Sequence, residues 1–144
     1  MIDMYLTKHY MNFGKFELAV KSSDNLINSL SGLNLEKKYH DPNLFVALFL
    51  KYESLINLNK LKESKKTAQE LDKYYDETLK ILSDIEASTI LTLVKYLELK
   101  TYYGNYNNVD KQVRQLENII LNNPDNKFYI VASNKLKVLK KKIQ

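Results

Sequence analysis

His9 and His40 are the only imidazoles in the chain, and cysteine is absent. Neither histidine has a second one four residues away, and no His-Glu-x-x-His run occurs, so the spacing of a helical zinc site is missing. Without a thiol there is no cysteine nucleophile, no cysteine-based zinc cluster and no disulfide framework. The three glycines stand apart at 14, 32 and 104, which leaves no Gly-rich loop to cradle a phosphate. "GNYNNVDKQ" (Gly104 to Gln112) has the polar look of a calcium loop but lacks its sixth-position glycine and closing glutamate; it reads as a turn followed by a helix cap. Asp72, Asp76 and Glu77 fall on a solvated helix face, where neighbouring acids are ordinary. The expectation is a protein that is not an enzyme and carries no cofactor and no metal.

Charge offers a different chemistry. The net charge of +5 comes entirely from the segment after Pro124, which holds six lysines and one aspartate. Its end, "KLKVLKKKIQ" (Lys135 to Gln144), places Lys135, Lys137, Lys140, Lys141 and Lys142 around an apolar face expected from Ile130, Leu136, Leu139 and Ile143. A basic amphipathic helix can lie on an anionic membrane or grip phosphates. Arginine, the side chain of most base reading, occurs once, as Arg114, which weakens the nucleic-acid reading and leaves a membrane surface as the better anionic partner. The plainer reading is a capping helix whose lysines complement its C-terminal dipole.

These residues need elements to hold them. The 144 residues are 44% hydrophobic and 27% charged, with only three glycines and two prolines, which excludes a turn-rich all-β protein and points to helices. The longest apolar run, Leu44 to Leu50, is far too short to span a bilayer, and the first ten residues lack a signal peptide's basic head and apolar stretch. A soluble chain is expected, in the cytoplasm or, for a piece of a longer protein, the bacterial envelope. The wealth of Lys, Asn, Ile and Tyr fits an AT-rich genome.

"FGKF" (Phe13 to Phe16) recurs as "LNKL" at Leu58 and as "YGNY" at Tyr103, 45 residues apart each time. The columns extend on both sides: Met4, Phe49 and Val94; Phe13, Leu58 and Tyr103; Gly14, Asn59 and Gly104; Phe16, Leu61 and Tyr106. They continue through Ala19, Ser64 and Val109; Ser23, Ala68 and Val113; Leu26, Leu71 and Leu116; and Leu30, Tyr75 and Ile120. Gly and Asn tolerate a left-handed backbone, so each unit reads as helix, tight turn, helix. The small early residues of the second helix let it approach its partner, and the large residue two after the turn is expected to plug the hairpin end. One hairpin cannot bury both its faces, but stacked hairpins can. The prediction is an all-α solenoid of three antiparallel hairpins, over units of about 1–41, 42–83 and 84–124, plus a capping helix at 125–144, all one domain.

Seven helices are expected, at about 2–13, 15–30, 42–58, 60–82, 84–103, 107–122 and 126–142. Their start signals are Asp41-Pro42, the capping box Ser83 to Glu86, Asn107 or Asn108, and Pro124 with Asp125 or Asn126; Ser31 to His40, with Gly32, is the irregular link. Leu139 is Val94 plus 45, so the seventh helix takes the first-helix place of a fourth unit and lacks a mate; self-association through it is a third expectation.

The pattern resembles the tetratricopeptide repeat, whose units carry a small residue and a Tyr in the first helix, Gly in the turn, an aromatic two later and Ala three after that. The first unit matches through Leu6, Thr7, Tyr10, Gly14, Phe16 and Ala19, and the third through Gly104, Tyr106 and the exit "NIILNNPDN" (Asn118 to Asn126). The period exceeds the family's value of about 34, Lys100 stands where the Tyr belongs, and no unit has the early Trp. The resemblance implies a protein-binding scaffold whose first helices line a groove. Its groove positions correspond to Met4 and Lys8, Phe49 and Glu53, and Val94 and Glu98; with Ile56 and Tyr102 they make an apolar, aromatic groove suited to an amphipathic helix or an extended segment. Only Lys8 is left of a basic clamp, so capture of a C-terminal carboxylate is not expected. Within the pairs Tyr74-Tyr75 and Tyr102-Tyr103, the columns send Tyr75 and Tyr103 inward and leave Tyr74 and Tyr102 for contact.

Overall fold

The structure, a computed structural model, describes residues 2–33, 42–80 and 87–143. Among these the chain is all-α, with seven helices and no strand: α1 (Ile2–Asn12), α2 (Phe16–Leu33), α3 (Pro42–Asn57), α4 (Leu61–Lys80), α5 (Thr89–Tyr102), α6 (Val109–Leu121) and α7 (Lys127–Ile143). His40, Asp41 and the capping box from Ser83 to Glu86 lie outside the described residues. No described helix is long and apolar enough to cross a membrane.

The three turns are built alike, for a backbone reason. Gly14, Asn59 and Gly104 have φ of 71°, 59° and 81°, the left-handed region that ends a helix. Around each, two hydrogen bonds close a Schellman motif. The Gly14 amide donates to Met11 O at 3.1 Å and the Lys15 amide to Tyr10 O at 2.8 Å. The second turn repeats this with Asn59 to Ile56 O at 2.9 Å and Lys60 to Leu55 O at 2.9 Å. The third does so with Gly104 to Thr101 O at 3.0 Å and Asn105 to Lys100 O at 2.8 Å. The 45-residue spacing is therefore a repeat of hydrogen bonding as well as of residue type. Contacts group the helices into two compact units, 1–78 and 79–144.

In unit 1, α1 packs on α2 and α2 on α3. Met4, Leu26, Ala47 and Leu50 form a buried cluster, flanked by Met11, Ile27, Leu30 and Val46. A buried Thr7 hydroxyl donates to Ser22 Oγ at 2.8 Å, which ties α1 to α2 without an unsatisfied polar group. Phe45 of α3 meets Tyr75 of α4 edge-on, with ring centroids 6.3 Å apart, an arrangement the ring quadrupoles favour. Burial pushes the Tyr75 phenol well above its ordinary pKa, and Asp76 and Asp72 push the same way. The predicted link was drawn too long: α2 runs through Ser31, Gly32 and Leu33 before the described chain stops.

In unit 2, α5, α6 and α7 pack on one another. The α7 core face is Tyr129, Ala132, Leu136 and Leu139, not the predicted set that included Ile130. Ile130 lies six residues from Leu136, about 120° round the helix, and is exposed. Asn126 is the N-cap of α7: its Oδ1 accepts from the amides of Phe128 at 2.9 Å and Tyr129 at 3.4 Å. Lys140 pairs with Glu117 of α6 at 3.2 Å.

The third hairpin departs from the other two after its turn. Phe16 and Leu61 open α2 and α4, but the residue two after Gly104, Tyr106, precedes the start of α6 at Val109 by three residues. Asn108 takes φ of 61° and makes no side-chain cap, so the predicted start at 107 moves to 109. The expected plug is corrected in consequence: Phe16 is half-buried, while Leu61 and Tyr106 are exposed. Leu61, at the first position of α4, tilts its side chain toward the N-terminal end of the helix, and Tyr106 lies in the turn before α6.

Candidate functional site

Lys100 is the least expected side chain in the molecule. It is fully buried, at 0% exposure, in the column where the first unit has Tyr10 and the second Leu55. Its Nζ donates to Asn107 O at 2.7 Å and to Gln112 Oε1 at 3.1 Å, and lies 5.3 Å from the centroid of the Tyr96 ring. A buried ammonium is tolerable only with such partners. The additional loop residues before α6 bring a backbone carbonyl to it, so the longer third loop and the lysine belong together. Lys100 pins the start of α6 to α5 and makes that end of unit 2 a fixed frame.

Beside this frame, α5 and α7 enclose a cleft of roughly 310 Å³ within unit 2. Its walls include Glu98 and Tyr102 of α5, Tyr106 of the turn, and Val138 and Lys142 of α7. Tyr102 is 79% exposed, Tyr106 58% and Val138 56%, so three large or apolar groups are left to solvent around one opening. Tyr102 and Tyr103 meet edge-on at 5.0 Å, which steadies the exposed ring. The structure thus brings together Glu98 and Tyr102, expected in the groove, with Lys142, expected in the basic helix.

The other expected groove residues fall elsewhere. Met4, Phe49, Ile56 and Val94 are buried and offer no surface to a partner, whereas Lys8 is exposed and Glu53 half-buried. Met4 shows why: it is held in the core cluster with Leu26, Ala47 and Leu50. Tyr103 was expected inside but is 46% exposed, because it occupies the C-cap just before the turn glycine, where a side chain leaves the packed face. Tyr75 is buried and Tyr74 half-buried.

Of the basic helix, Lys135, Lys137, Lys141 and Lys142 are exposed, and Lys140 is half-buried against Glu117. No acid occurs anywhere in α7, so every charge it carries is positive. Sequence reasoning missed Tyr106 and Val138 as cleft residues. The signal was present: Val138 lies 45 residues after Leu93, which is fully buried, so its own exposure marks a position whose usual cover is absent among the described residues. Compared with protein-family models, curated proteins and solved structures, the chain matches none.

Proposed function

We propose that the chain is a non-catalytic, tetratricopeptide-like hairpin scaffold that binds a segment of another protein, with the α5–α7 cleft as its contact site. Three hairpins with one turn chemistry make a scaffold that multiplies helix faces instead of enclosing a reaction chamber. The observation that carries the reading is the cleft itself: two exposed tyrosines and a valine around an opening fixed by the buried Lys100 frame. Tyrosines contribute large contact areas with little entropy loss, which suits them to recognition. Crosslinking and pull-down from the source cells tests it, comparing the natural chain with the Tyr102→Ala/Val138→Asp variant. A protein crosslinked by the natural chain and lost from the variant supports the reading. Equal recovery by both, or by neither above a scrambled control, counts against it.

A second reading is favoured by one observation: α7 has exposed lysines and no acid. In that reading α7 lies on an anionic membrane or nucleic acid, and binding falls steeply with salt.

A further inference from the structure

Along α7, Val131, Lys135, Val138 and Lys142 follow one another at steps of four, three and four residues, the spacing of a single helix face. All four are exposed. The strip is alternately apolar and cationic, and its last two members also line the α5–α7 cleft.

The 45-residue columns say what this face is. Lys135 corresponds to Phe45 and Ile90, Val138 to Leu48 and Leu93, and Lys142 to Tyr52 and Leu97; all six of those counterparts are buried. In α3 the column faces the hairpin mate, since Phe45 touches Tyr75 of α4. In α5, Lys100, three residues past Leu97 on the same side, reaches Gln112 of α6. By register the strip on α7 is the counterpart of those mate-facing columns, altered in one respect: lysine replaces the aromatic or aliphatic residue at two of three positions.

We propose that an acidic amphipathic helix of a partner protein docks on this strip, in the place a second helix would take, with apolar side chains against Val131 and Val138 and carboxylates against Lys135 and Lys142. The proposal rests on the protein-binding reading above and supplies the partner's chemistry. Lysine in place of a core residue disfavours an ordinary apolar mate, because its charge would be buried unpaired; a carboxylate opposite removes that cost, so the two lysines select for acid. A lipid surface fits less well. An interfacial helix presents a continuous face of large apolar side chains, whereas Tyr129, Leu136 and Leu139 of α7 are buried in unit 2 and the exposed Ile130, Val131 and Val138 stand among lysines. A phosphate backbone fits less well too, since Glu98 stands in the cleft and α7 carries no arginine.

The test is a display library of random peptides of about the length of α7, selected on the full chain. The expected winners alternate apolar residues with Asp or Glu at helical spacing. They lose about tenfold or more in affinity on Val138→Asp, and similarly on Lys135→Glu/Lys142→Glu, which instead gains affinity for the same peptides with acids changed to lysine. Circular dichroism confirms that these exposed-site variants fold. Winners without acidic character, or acidic winners indifferent to both variants, overturn the proposal. Winners that depend on other surfaces overturn it while sparing the protein-binding reading, and a library that yields no binder counts against both. Binding of an oligonucleotide or of phosphatidylserine vesicles that falls with the lysine reversal but not with Val138→Asp overturns it in favour of a plain anionic surface. A dimer lost on Val138→Asp overturns it in favour of a second copy of this chain.

Discussion

Changing Gly104 to alanine isolates the backbone term that sets the repeat. Gly104 has φ of 81° and a Cβ built there meets nothing within 4 Å, so no side chain has to move. The cost is then the left-handed backbone alone, about 1–2 kcal/mol for an L-residue. Alanine also stiffens the unfolded chain, which returns about 0.4–1 kcal/mol. The net loss is about 1 kcal/mol. Gly14 has φ of 71° and the same open surroundings, so Gly14→Ala is expected to cost the same. Asn59 performs the same turn at φ of 59° with a residue that already tolerates it, so Asn59→Gly is expected to be neutral or slightly stabilising and Asn59→Ala to cost about 1 kcal/mol. Urea unfolding followed by circular dichroism reads this directly: at a slope of about 2 kcal/mol per molar, the midpoint falls by about 0.5 M. Gly14 and Asn59 report on unit 1 and Gly104 on unit 2, so if the units unfold separately each variant shifts its own transition. A Gly104→Ala chain with an unchanged midpoint would refute the reasoning, as would an Asn59→Gly chain destabilised as much as the alanine variants.

Other perturbations probe the frame around the cleft and the core. Lys100→Met removes the donor to Asn107 O and Gln112 Oε1 and is expected to destabilise unit 2 by about 1.5–3 kcal/mol, with amide exchange faster at the start of α6; unchanged exchange there would show that the lysine does not hold the loop. Asn126→Ala should cost about 1 kcal/mol through the lost cap of α7, read in the same urea experiment. Tyr75 binds its proton more tightly folded than unfolded, so its contribution to stability is complete below its ordinary pKa near 10 and is lost as pH rises from there toward its folded value. Tyr75→Phe is accordingly expected to flatten the decline of stability above pH 10, and an unaltered slope would assign that decline to other groups.

Much of the fold was legible because its signals are local. Gly14, Asn59 and Gly104 announce a backbone conformation few other residues accept, and all three adopt it. Ala19, Ser64 and Val109 are small where helices approach, and all three are buried. What escaped the sequence depends on what lies opposite each residue. Apolar periodicity marks Met4, Phe49, Ile56 and Val94 as belonging to a helix face but does not say whether that face meets protein or solvent, and the structure buries all four. Lys100 escaped for a related reason: a lysine in a core column looks like a break in the pattern until a loop carbonyl and Gln112 are seen to meet its ammonium. Val138 could have been found by asking which exposed apolar residue of α7 has buried counterparts 45 and 90 residues earlier, as Leu93 and Leu48 are.

The most direct measurement is hydrogen exchange on the full chain, free and bound to the partner recovered by crosslinking or to the selected peptide. The expected result is slowed exchange confined to the C-terminal half of α5, the turn at Tyr106 and α7 from Val131 to Lys142. Protection restricted to unit 1, or no protection in α7 at saturating ligand, would contradict binding at the α5–α7 cleft.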